Sequence, residues 1–155
     1  MDLVGQLRSI VVKTTLDLSE LEASYRGPEG PLMLEFRLNW TRGQKERQRA
    51  LQVETLELQR QYARLKDLAD DEAAWEKARQ EADASSEVNM RHWAEWWGGI
   101  LLITTEEVLA LMDAIPENHW TWITMEVARR AMEYEESQVK KAGGPRSRIS
   151  EKPQA

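Results

Sequence analysis

Two stretches of this chain alternate between apolar and polar residues, and most of the chain beyond them repeats every three to four or every seven residues. In VVKTTLDLS (11–19), Val12, Thr14, Leu16 and Leu18 share one face, opposite Lys13, Thr15, Asp17 and Ser19. In LMLEFRLNW (32–40), Leu32, Leu34, Phe36, Leu38 and Trp40 share a face opposite Met33, Glu35, Arg37 and Asn39. A period of two over this length predicts half-buried strands. Gly27-Pro28 and Gly30-Pro31 mark a loop between them. The simplest arrangement is an antiparallel pair, and its apolar face needs a helix to cover it. Residues 1–10 read as a short strand or a short helix.

Thr41-Arg42-Gly43-Gln44 has the form of a capping box. A helix is predicted from about Gln44 to Ala82, a span without Gly or Pro, with Leu51, Leu58 and Leu65 at seven-residue steps. Its first turns are basic (Arg42, Lys45, Arg47, Arg49) and its far end is acidic. The charges read as a solvated face, or else the basic start meets an acidic partner. Ala84-Ser85-Ser86 punctuates the pattern and Gly98-Gly99 closes a helix from Glu87 to Trp97. Thr104 and Glu107 form a second capping box, opening a helix to about Asp113. Pro116 fits the first turn of a third, along which Trp120, Ile123, Val127, Ala131 and Tyr134 form one stripe, flanked by Trp122 and Met125.

The predicted class is therefore mainly α with a small N-terminal antiparallel β pair, an α+β arrangement. It divides into a β unit (1–40), a long charged helix (41–84), a Trp-rich three-helix block (85–141) and a disordered tail (142–155). The block holds Trp93, Trp96, Trp97, Trp120 and Trp122, five of the seven tryptophans. Trp96 and Trp97 are adjacent and would point about 100° apart on a helix. At least one is expected on a partner-facing surface, where Trp is energetically favoured.

Composition narrows the function. The net charge of −6 does not suit a nucleic-acid surface, and only Arg91 lies among the clustered tryptophans, so a stacking platform for single strands is disfavoured. There is no Cys, which excludes disulfides and thiolate metal sites. No signal peptide and no apolar run near the roughly 20 residues of a membrane span is expected. His92 and Glu95 share a helix face but lack the second Glu-x-x-His of a di-metal bundle. Glu106-Glu107 and Asp70-Asp71-Glu72 are explained by helix starts and solvated faces rather than by acid–base work. No catalytic residue, metal ligand or cofactor is predicted.

The order D-L-S-E-L (Asp17 to Leu21), LMLEFRLNW, the helix start at Thr41 to Arg47, a long charged helix and a closing W-x-x-W-W…P-x-x-x-W-x-W block resembles small tail assembly chaperones of long-tailed bacteriophages. The resemblance is one of layout over roughly residues 15–141. It implies a non-enzymatic protein of the host cytoplasm, encoded near the major tail protein and the tape measure, that has a helical tape measure protein and the major tail protein as partners and touches neither nucleic acid nor membrane. It also implies that Lys140-Lys141 could mark a programmed frameshift site. The partner-binding residues expected are Leu51, Leu58, Leu65, Trp96, Trp97 and Trp122, with self-association a further use of these faces. The other reading is a structural or adaptor protein acting through coiled-coil and Trp-rich interfaces.

Overall fold

The computed structural model describes residues 2–151, with side chains described over 2–142. It is mainly helical, 73% of it in five helices, with a small antiparallel β pair near the N-terminus, as the patterning predicts. The elements in order are α1 (Leu3–Ser9), β1 (Lys13–Asp17), β2 (Arg26–Gly27), β3 (Gly30–Pro31), β4 (Met33–Arg37), α2 (Arg42–Arg64), α3 (Glu72–Leu101), α4 (Thr105–Ala114) and α5 (Glu117–Glu151). Among the described residues no helix is long and apolar enough to cross a membrane. The chain divides into two compact units, one of Met1–Trp40, Ile100–Leu102 and Ile115–Ala155, the other of Thr41–Gly99 and Ile103–Ala114.

In the first unit, the stretch read as a short strand or a short helix forms a helix over Leu3–Ser9: Asp2 accepts the Gly5 N–H at 2.9 Å and caps α1. β1 and β4 pair antiparallel, with Thr14 opposite Phe36 and Leu16 opposite Leu34. That register puts the apolar members of both runs on one face, and Leu16 and Phe36 are fully buried. β1 stops at Asp17 because that side chain turns back. It accepts the backbone N–H and hydroxyl of Ser19 and starts a 3-10 turn, Leu18–Glu20. The Gly-Pro loop contains a minimal second pair, β2 with β3, in which Gly30 takes a φ of 120° that only glycine adopts easily. α5 supplies the helix that the sheet requires, through Ile123, Val127 and Ala131, all buried. Arg130 of α5 reaches the Thr15 carbonyl, and His119 Nδ1 lies 2.6 Å from the Tyr25 hydroxyl, their rings edge to face. At the sheet's end the buried Arg37 donates to the carbonyls of Asn39 and Ile10.

The second unit corrects the predicted helix boundaries. The helix expected to run unbroken from Gln44 to Ala82 ends at Arg64, passes through a 3-10 turn at Leu65–Leu68, and restarts at Glu72. Asp71 makes the restart, accepting the Ala74 N–H at 3.1 Å; aspartate is a strong cap and a poor helix interior. Ala84-Ser85-Ser86 is not a boundary, and Gly98-Gly99 does not end a helix: α3 runs through both. Along it Trp75, Arg79, Ala82, Ser86, Asn89, Trp93, Trp96 and Ile100 fall on one seam, at alternating steps of four and three. The left-handed residue that ends α3 is Leu102, at φ 60°, and the Ile103 N–H closes the cap on the Gly98 carbonyl at 3.1 Å. Gly98 is needed for a different reason, since a Cβ there would lie 2.9 Å from the Ile103 carbonyl oxygen. Both capping boxes form as predicted, Thr41 with Gln44 and Thr104 with Glu107.

The segment 142–155, expected to be a disordered tail, is described as helical backbone up to Glu151; residues 152–155 lie outside the described residues.

Candidate functional site

α2 and α3 fold back on each other as an antiparallel hairpin. Gln44 and Trp96 meet at one end, Tyr62 and Asp83 toward the other, with Thr55 and Trp93 between. α2 contributes Gln44, Gln48, Leu51, Thr55 and Leu58 to the seam, and Leu65, the last of the predicted leucine repeat, opens the 3-10 turn that follows it. Leu51 is fully buried, and Leu58 and Leu65 are half-buried. Leu51 therefore packs within the chain's own hairpin, one of the two packings, within the chain or between chains, that the repeat leaves open.

At mid-seam the packing turns polar. Thr55 Oγ1 accepts the Trp93 indole N–H at 2.8 Å and lies 2.9 Å from the Leu51 carbonyl and 3.3 Å from Asn89 Oδ1. Asn89, buried, donates to Glu54 at 3.1 Å. His92 Nδ1 lies 2.9 Å and 3.1 Å from the two Glu54 oxygens. A carboxylate only accepts, so Nδ1 carries the proton in that bond. Burial pushes the Glu54 carboxyl up most strongly. The hydrogen bonds from Asn89 and His92, with the charges of His92 and Arg47, together outweigh it and hold the carboxyl below its ordinary range. His92 thus pairs with Glu54 across the hairpin and not with Glu95 on its own helix. Among the described residues no group of three or more His, Cys, Asp or Glu is placed to hold a metal.

The tryptophans follow the same logic. Trp96 gives its indole N–H to the Gln44 carbonyl at 2.7 Å and meets Trp93 edge to face at 5.9 Å and Trp97 at 4.9 Å. Trp96 and Trp97 are each only 7% exposed, which overturns the expectation that one would lie on the surface. Indole rings are long enough to converge although their Cα–Cβ bonds diverge along the helix, and the edge-to-face contact is a favoured aromatic geometry.

The exposed apolar surface lies elsewhere. On α5, Met125, Met132 and Val139 recur every seven residues and are 67%, 57% and 63% exposed. They run along the side opposite the buried Ile123, Val127 and Ala131. Trp122, half-buried, borders this stripe, the one predicted partner residue that does so. On α2, Val53 and Leu56 are 66% and 52% exposed, between Arg49 and Arg60. Leu3, Val4 and Leu7 of α1 are exposed as well. Met132, Val139, Val53 and Leu56 were missed from sequence. The seven-residue step from Met125 to Val139 was legible, but it shares its helix with the stronger core stripe on the opposite side.

Compared with family models, with curated proteins and with solved structures, the chain matches none.

Proposed function

We propose that the protein is a non-enzymatic, tail assembly chaperone-like protein that works in the host cytoplasm by covering an apolar helix of a client, such as a tape measure protein, before assembly. The observation that supports this reading is the α5 stripe of Met125, Met132 and Val139. A methionine-lined helix face is flexible enough to accept a helix of varied side chains, in the helix-against-helix mode of peptide recognition. The net charge of −6 would keep such a complex in solution. The order of strand pair, charged helical stretch and Trp-rich block along the sequence supports the phage assignment.

Co-expression with the tape measure protein of a long-tailed phage, the client class of this reading, tests the proposal. The client should move into the soluble fraction and co-purify, and Met132→Glu should abolish this without lowering the melting temperature. A client whose solubility does not depend on the chain overturns the reading. Permanent retention of the chain in purified particles favours a structural or adaptor role instead.

A further inference from the structure

The outer side of α2 runs against the charge of the chain and against its own helix dipole. α2 holds six Arg and Lys against three Glu, in a chain whose net charge is −6. Its first turn has no acidic residue and carries Arg42 and Lys45, cations at the end of a helix that favours anions. On the side opposite the seam, Val53 and Leu56 lie exposed between Arg49 and Arg60, at helical steps of four, three and four. Arg42 and Arg64 extend the same side at either end. The two glutamates there do not neutralise these arginines. Glu46 is held by Arg42 at 2.8 Å, and Glu57 is shared, 3.5 Å from Arg60 and 3.5 Å from Arg64. Among the described residues the Arg49 side chain has no ion pair and no hydrogen bond. The face is therefore an apolar pair in a surplus of guanidinium charge.

We propose that this face docks an acidic-edged amphipathic helix of a protein partner, one with two apolar residues three apart and a carboxylate four residues beyond each. The alternation of three and four residues is what lets one helix lie along another. The order arginine, apolar, apolar, arginine reads the same in both directions, so the fit holds for a parallel and for an antiparallel partner. All four cations of the face are arginines, whose planar fork pairs with a carboxylate through two bonds where a lysine offers a point charge. A second α2 does not fit. Setting Val53 on its own counterpart in a parallel pair, or on Leu56 in an antiparallel one, brings arginine against arginine. The phosphates of a nucleic acid would engage the arginines but leave the apolar pair between them uncovered. Two aliphatic side chains are too few to hold a helix in a lipid surface. The inference concerns α2 alone and does not rest on the α5 reading.

Fluorescence anisotropy with the full chain and a labelled peptide tests it. The probe is an alanine-rich helical peptide of about 20 residues carrying Glu, Leu, Leu and Glu at steps of four, three and four. Its control carries Lys in place of both Glu. The Glu peptide should bind about tenfold more tightly than the Lys peptide, and the preference should shrink as salt screens the charges. Arg49→Glu with Arg60→Glu should reverse the preference, because the changed face then complements the Lys peptide. Val53→Ser with Leu56→Ser should abolish binding of both. Should a double variant lose its helical circular dichroism, Arg49→Gln takes its place and should weaken the Glu peptide severalfold. Wild-type protein that binds neither peptide, or both alike, overturns the proposal, as does a preference that survives the charge reversal. Tighter binding to phosphatidylglycerol vesicles or to duplex DNA than to the Glu peptide overturns it too, in favour of a lipid surface or a nucleic acid.

Discussion

The indole N–H of Trp93 donates to the hydroxyl of Thr55 across the α2–α3 hairpin, at 2.8 Å. The same hydroxyl lies within reach of Asn89, which in turn holds Glu54. Thr55→Val keeps the shape and removes the acceptor. It should cost about 1–3 kcal/mol, because a part-buried indole N–H and the Asn89 carbonyl each lose a partner. Thr55→Ser should recover most of it. Chemical denaturation of the three proteins checks this.

The Glu54 carboxyl is held below its ordinary value of 4.5 by the folded structure. A carboxyl depressed in this way contributes stability that is fully present above the unfolded value and is lost as pH falls through the folded one. Melting temperatures from pH 6 down to pH 3 should therefore drop more steeply in wild type than in Glu54→Gln, with the difference opening below about 4.5. Parallel curves would remove Glu54 from the acid sensitivity of the fold.

Gly98 and Gly99 are neighbours inside α3, and replacing each by alanine should give opposite signs. At Gly99 the nearest group to an added Cβ is the Gln44 side chain, at 3.7 Å, so Gly99→Ala should gain up to about 1 kcal/mol of helix propensity. At Gly98 the added Cβ would meet a backbone oxygen at 2.9 Å, so Gly98→Ala should lose about 1–3 kcal/mol through overpacking. Thermal unfolding of the two variants side by side decides it.

Leu102 closes α3 in the left-handed region, at φ 60°, where a β-carbon is costly by about 1–2 kcal/mol. Its side chain is 37% exposed, so removing it gives up the burial of the rest, which sets about 1–2 kcal/mol against the relief of strain. Leu102→Gly should therefore stay within about 1 kcal/mol of wild type, whereas Leu102→Ala, which gives up the same burial without the relief, should lose about 1–2 kcal/mol, both readable as shifts in denaturation midpoint.

What was legible in the sequence is what is local. The period-two runs around Leu16 and Phe36 placed the strands, and Thr41 with Gln44 and Thr104 with Glu107 placed two helix starts. The α2–α3 boundary was hidden because no Gly or Pro marks 65–71; the chain turns there on Leu65–Leu68 and the Asp71 cap. Gly98-Gly99 misled for the complementary reason. Glycine serves close approach as well as left-handed turns, and here Leu102 makes the turn. The leucine repeat and the Trp96-Trp97 pair looked like partner surfaces because period and composition say that a face is apolar, not which face covers it. The hairpin covers Leu51 and Trp96, and the stripe left over is the methionine side of α5.

The hydrogen bond between Tyr25 and His119 joins residues 94 apart, and the unit they belong to is assembled from both ends of the chain. That has a consequence for the order of synthesis. α2, α3 up to Gly99 and α4 leave the ribosome in succession as the second unit, and they can fold as they emerge. The β1–β4 pair is made first but waits for α5, some 80 residues after Arg37, which at about 5–20 residues per second is roughly 4–16 s with Leu16 and Phe36 uncovered. During that interval the nascent sheet is the part of the molecule most exposed to wrong partners, so slowing translation between α4 and α5 should lower the yield of folded protein more than slowing it within α2.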